Sequence, residues 1–153
     1  YHLRPNTRFI PARPQREAGH LLNKQIRLLG YDLPQDAVTP GGEFYVRLYW
    51  QAIQFTDARY KVVVPLLGPD GQLVAQQDAE PQGGGWPTTH WLPGETLVDD
   101  YALAVPADAP PGDYTLAVGM YRLDNMERLP AMDSSGQRQP DDRVTLVEGI
   151  ECK

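Results

Sequence analysis

Residues 43–53, Glu-Phe-Tyr-Val-Arg-Leu-Tyr-Trp-Gln-Ala-Ile, alternate between two chemistries for five cycles. Phe44, Val46, Leu48, Trp50 and Ala52 share one side, and Glu43, Tyr45, Arg47, Tyr49 and Gln51 share the other. Successive side chains of an extended chain point to opposite faces, so this is the pattern of a half-buried β-strand. Its apolar side demands a second layer to cover it, which restricts the fold to packed sheets. The opposite side carries two tyrosines, an arginine and a glutamine, an unusual set for a surface that meets only water.

The rest of the chain agrees with many short strands. A length of 153 residues suits one domain with a core of its own. Fifteen prolines and fourteen glycines lie scattered between apolar runs without a repeat, which favours strands joined by tight turns over helices. Alternation and turn signals place strands at 24–31, 43–54, 60–67, 72–79, 96–105, 113–123, 127–132 and 143–151, about eight in all. Gly68-Pro69-Asp70-Gly71 suits a type I turn followed by a left-handed glycine, making 60–67 and 72–79 a hairpin. Residues 80–95 form a long irregular stretch with three consecutive glycines. The expected fold is therefore an all-β antiparallel sandwich, with a jelly roll as its nearest competitor. Pro110-Pro111-Gly112-Asp113-Tyr114 sets a tyrosine at the entry of an alternating strand, as the corner tyrosine of immunoglobulin-like and fibronectin-like sandwiches is set, and favours that wiring. Residues 1–23, with Arg4, Arg8, Arg13 and Arg16 among Pro5, Pro11 and Pro14, read as a linker or an arm laid over the domain, which then occupies 24–153.

Several functions are excluded by composition. A net charge of −6 without clustered Lys and Arg opposes nucleic acid as a partner. Cys152 is the only cysteine, so the chain can close no internal disulfide. No run approaches the roughly 18 apolar residues of a membrane helix and no signal-peptide pattern opens the sequence, so the chain as written is expected to be soluble.

Catalytic signatures are equally scarce. His2 and His20 fall in the arm, which leaves His90 alone in the domain, and no serine or cysteine sits in a nucleophile motif. HExxH, CxxC and a glycine-rich loop between strand and helix are all missing. Asp99 and Asp100 are adjacent within a strand and should point to opposite faces. Asp78 or Glu80 could instead meet Asp99 across neighbouring strands, the arrangement that calcium or glycoside cleavage would require. The expectation is a domain without catalytic residues, metal or cofactor.

Two clusters remain as candidate binding surfaces. Trp86 and His90, with Thr88, Thr89 and Trp91, form the densest polar-aromatic loop and could stack on sugar rings while bonding their hydroxyls. The same large side chains, Trp91 above all, would equally plug the end of a sandwich. Tyr45, Arg47 and Tyr49 form the second cluster; residues separated by one along a strand stand about 7 Å apart, a spacing suited to successive sugar units. Strands also favour tyrosine for packing alone.

The series Ile26-Arg27-Leu28-Leu29-Gly30-Tyr31, Pro40-Gly41-Gly42, Leu48-Tyr49-Trp50-Gln51-Ala52, Gly68-Pro69-Asp70-Gly71, Gln77-Asp78, Pro87-Thr88, Trp91, Pro93-Gly94-Glu95, Pro111-Gly112-Asp113-Tyr114, Gly119-Met120-Tyr121 and Arg128-Leu129-Pro130 resembles the C-terminal region of certain bacterial membrane proteins. These are polytopic glycosyltransferases of the dolichyl-phosphate-mannose protein-mannosyltransferase type, with a β-rich domain after the last membrane span. The resemblance covers residues 24–151 and rests on turn and core positions. It implies a non-catalytic accessory domain on the extracytoplasmic side of a bacterial membrane, tethered through a parent chain that holds the transferase chemistry. Its implied partners are a glycan or the membrane domain of that parent; a structural or protein-docking module is the alternative and a hydrolase a distant third. Where that family often carries a histidine in the third strand this chain has Pro65, which argues for an edge or bulged strand there.

Overall fold

The computed structural model describes residues 14–152, and among these it contains strands and short 3-10 turns but no α-helix. Eight strands span seven residues or more: β1 (Arg16–Leu22), β2 (Ile26–Asp32), β4 (Glu43–Ala52), β5 (Tyr60–Leu67), β6 (Leu73–Ala79), β7 (Thr96–Ala104), β8 (Gly112–Arg122) and β10 (Val144–Cys152). Two dipeptide strands, β3 (Ala37–Val38) and β9 (Ala131–Met132), complete the set. They form two five-stranded sheets, in the orders β7-β4-β2-β1-β9 and β3-β10-β8-β5-β6. Pairing is antiparallel throughout the long strands, while β3 runs parallel to β10.

The β4 alternation places the core as the sequence demanded. Phe44, Val46, Leu48 and Trp50 are buried, and they share the interior with Tyr114, Leu116, Val118 and Met120 of β8. The hydroxyl of Tyr114 donates to Pro110 O at 2.6 Å, closing the corner in front of β8. A bulge between Leu28 and Gly30 in the β2–β4 register lets both Leu28 and Tyr31 face inward while Asp32 comes to lie opposite Arg47 on the outer face.

Three local expectations change. Residues 16–22 are not an arm but a full strand, β1, hydrogen-bonded between β2 and β9. Only Leu22 of β1 is buried, so no apolar alternation announced it; main-chain pairing holds it in the sheet. Residues 1–13 of the expected arm lie outside the described residues. Within 127–132 the chain makes two isolated bridges, Arg128 to Tyr121 and Met132 to Arg138, and the short β9, because Asn125 and Glu127 turn the backbone there instead of extending it. Pro65 sits in a strand flanked by β6 and β8, not at an edge. The ladder with β8 skips Val64 and Pro65, and the register with β6 slips between Leu66 and Leu67, so the missing N–H is absorbed within the sheet.

Candidate functional site

The outward side of β4 carries the first candidate cluster, and its neighbours decide what each side chain does. Tyr45 lies opposite Ala102, Arg47 opposite Asp100 and Tyr49 opposite Val98 on β7; on the other flank Asp32 lies opposite Arg47 and Gly30 opposite Tyr49 on β2. Arg47 donates through Nε to Asp100 Oδ1 at 2.7 Å and through Nη2 to Oδ2 at 3.1 Å, a two-pronged pair that raises the guanidinium pKa. Both partners remain about half exposed, at 49% and 63% of their side chains.

Tyr49 departs from expectation. It retains 7% of its surface in water, against 46% for Tyr45. Its hydroxyl donates to Asp32 Oδ2 at 2.5 Å, and the other oxygen of that carboxylate accepts Gln15 N at 2.6 Å. Burial, with the Asp32 bond second, raises the Tyr49 pKa. Two exposed tyrosines in a row are therefore not present; the open ring belongs to Tyr45 alone. Tyr45 is also held by its backbone. Since β2 ends at Asp32, nothing continues the ladder beside Tyr45, and the Gln35 side chain takes the place of a strand: its Nε2 donates to Tyr45 O at 2.7 Å and its Oε1 accepts Tyr45 N at 2.9 Å. Asp32 and Gln35 escaped the sequence reading because each acts across a turn or a strand from β4.

The second cluster lies in the segment between β6 and β7, where 3-10 turns span Pro81–Gly84 and Thr88–His90. Thr88 is fully buried, donating to Ala58 O and accepting Tyr60 N, both at 3.0 Å. Trp91 is 1% exposed and its indole N–H donates to Trp86 O at 2.8 Å. Trp86 is half-buried and packs on the core, and His90, next to Trp91 in the chain, is exposed. The buried Glu95 accepts Leu92 N at 2.8 Å and secures the return to β7. This segment is a plug, with His90 and part of Trp86 on its outer surface.

The carboxylates do not converge. Glu80 pairs with Arg59 at 2.6 Å, Asp78 accepts the Tyr121 hydroxyl at 3.1 Å, and Asp100 faces out toward Arg47. Asp99 faces the interior, 1% exposed, and accepts Gln82 N at 2.7 Å. The Trp50 indole N–H and the Tyr101 hydroxyl face the same buried carboxyl, and as donors to it they oppose the effect of burial. Burial dominates and pushes the Asp99 pKa up to about 6. Among the described residues no group of three His, Cys, Asp or Glu side chains is placed to hold a metal ion. Nor, among the described residues, is any helix long and apolar enough to cross a membrane.

Among the described residues, two depressions can be described. One, of about 500 Å³, is lined by Asp57, Ala58, Arg59, Thr89, Leu123 and Asp124 at the end of the sandwich. The other, of about 470 Å³, lies over β1 and β2 and includes Glu17, Leu21, Arg27, Leu29 and Ser134.

No family model matches the chain, and no curated protein matches it in sequence. Solved structures do share its architecture. The C-terminal domain of wzt superposes with a TM-score of 0.56 at 13% identity, over 92% of this chain and 82% of that one. The CARDB domain of a Pyrococcus furiosus protein, solved in complex with di-metal ions, gives a TM-score of 0.45 at 10% identity, over 92% of this chain and 95% of that one. At these identities the likeness defines a class by fold: this is a β-sandwich domain.

Proposed function

We propose that this chain is a non-catalytic accessory β-sandwich that binds a glycan weakly on the outer face of β7, β4 and β2, around Tyr45. The observation that carries the reading is an aromatic ring 46% exposed next to a pre-formed Arg47–Asp100 pair on a rigid strand. A sugar ring needs an apolar plane to stack on and fixed donors and acceptors for its hydroxyls. Ala102, opposite Tyr45, is too small to cover the tyrosine ring, and Gln35 fixes its backbone. The loop cluster is the poorer surface, since Trp91 is inside and Trp86 partly so. The resemblance described above supplies the setting we propose: a domain on the extracytoplasmic side of a bacterial membrane, joined to a membrane glycosyltransferase whose chemistry lies elsewhere in the parent.

Binding to one preformed surface without chemistry is weak, so affinity is expected between millimolar and high micromolar, about −4 to −6 kcal/mol. NMR titration with mannose-type oligosaccharides tests this directly. Shift changes centred on Tyr45, Arg47 and Asp100, and lost in Tyr45→Ala, are the expected result; changes confined to Trp86 and His90 would move the site to the loop.

A docking role is the second reading, favoured by a different observation. Ile53, Phe55, Leu92, Leu123 and Met126 are exposed large apolar residues on loops, and Phe55 and Met126 reach 66% and 65%. These loops leave the same end of the sandwich: Leu123 N donates to Arg59 O at 3.0 Å, and Ile53 N to Gln25 O at 2.7 Å. Silence of the domain toward every oligosaccharide would give the function to this end.

A further inference from the structure

We propose that the Tyr45 face takes uncharged glycans and discriminates against anionic ones; the inference rests on the glycan reading above and specifies its ligand class. The outward residues of β2, β4 and β7 carry the carboxylates Asp32, Glu43 and Asp100 and the guanidinium groups Arg27 and Arg47. Arg27 lies opposite Gln51, four positions along β4 from Arg47, which at the rise of a strand is about 13 Å away. Among the described residues of these strands Arg47 is thus the cation beside Tyr45, and it stands between two acids, Asp32 on one flanking strand and Asp100 on the other. Its Nε and Nη2 already serve both oxygens of Asp100.

That commitment separates two kinds of sugar. A hydroxyl can use the remaining guanidinium N–H groups and the free lone pairs of Asp100 without parting the pair. The Tyr45 hydroxyl donates to Glu43 Oε1 at 3.3 Å, which leaves its oxygen as an acceptor for a sugar O–H. A uronate or phosphate must instead compete with Asp100 for Arg47. If it succeeds, it lies against Asp100, Asp32 and Glu43, three like charges, and the other outward cation among the described residues of β2, β4 and β7 is the distant Arg27.

The test compares two trisaccharides on the isotope-labelled chain at low ionic strength, where the Debye length exceeds about 10 Å. Mannotriose should shift Tyr45, Arg47 and Asp100, whereas trigalacturonate should bind the same residues at least about tenfold more weakly, or about 1.4 kcal/mol. Added sodium chloride should leave the mannotriose affinity flat and raise that of trigalacturonate, a readout that needs no variant. Asp100→Asn frees Arg47 and should strengthen trigalacturonate binding about tenfold. Equal or tighter binding of trigalacturonate by the unaltered chain at these residues would overturn the selectivity while keeping the glycan reading. Silence toward both probes would remove the glycan reading and this inference with it.

Discussion

Tyr45 and Trp91 are both aromatic side chains among polar neighbours, yet Tyr45 leaves 46% of its surface in water and Trp91 leaves 1%. The difference comes from what surrounds them. Tyr45 projects from the outer face of a regular strand, opposite an alanine, and about half of its surface stays open. Trp91 follows a 3-10 turn that directs its indole inward, where its N–H finds Trp86 O. The β4 face holds Arg47 in a cross-strand ion pair with Asp100 and leaves both accessible. The 80–95 segment spends its polar groups on its own closure, as Thr88, Trp91 and Glu95 each do.

Substitutions should expose this contrast most sharply in stability. Trp91→Ala removes a fully packed indole and is expected to cost about 3 to 5 kcal/mol, seen as a lower urea midpoint. Trp50→Ala should cost a similar amount, since Trp50 has no exposed surface. An unchanged midpoint for Trp91→Ala would mean that the segment is an ornament and not a plug.

Next in size is a pH effect inside the plugged end. Asp99 is raised from 3.8 to about 6 chiefly by burial, so the folded state holds its proton more tightly than the unfolded chain does. Its contribution is therefore most favourable below about pH 4, declines as pH rises, and is lost above about pH 6, a change of roughly 3 kcal/mol. Asp99→Asn keeps an acceptor for Gln82 N and should flatten this part of the stability profile, leaving the variant more stable than the parent at pH 8. Chemical denaturation at pH 5 and pH 8 measures it, and parallel profiles for the two proteins would refute it.

On the outer face the effects shrink. Tyr49→Phe removes the bond to Asp32 and is expected to cost about 1 kcal/mol, since Asp32 still accepts Gln15 N. Smaller still is Tyr45→Ala, whose stability should stay within about 0.5 kcal/mol while glycan-induced shifts disappear. Arg47→Ala should likewise cost under about 1 kcal/mol, because both members of its pair are half exposed. A large loss of stability from Tyr45→Ala would show that the ring supports the fold and is no free platform.

How far the fold could be read in advance varies by element. The β4 strand was legible because its alternation is a local property, and so was the Tyr114 corner, whose partner Pro110 is four residues away. β1 was not, because Arg-Glu-Ala-Gly-His-Leu-Leu buries almost nothing and is recruited by main-chain bonds to β2 and β9. The candidate site was half legible. Arg47 and Tyr45 face outward as the alternation requires, but the burial of Tyr49 depends on Asp32, seventeen residues earlier and shifted into place by the bulge in β2. The choice between a loop that binds and one that plugs rests on the contacts of Thr88 with Ala58 and Tyr60, about thirty positions away in sequence, which no local pattern encodes.

One close approach has a mechanical consequence. Pro14 and Arg16 cross directly over Gly30, where an added Cβ would lie 2.2 Å from Arg16 O and 2.5 Å from Pro14 Cγ. β1 then runs on between β2 and β9 in the body of its sheet. Tension along the strand from the chain ahead of Pro14 is therefore borne as shear, which loads the β1–β2 ladder as a whole instead of opening it one rung at a time. The chain ahead of Pro14 thus joins the sheet through an inner strand clamped at a glycine, and Gly30→Ala would loosen that clamp before it disturbed the core.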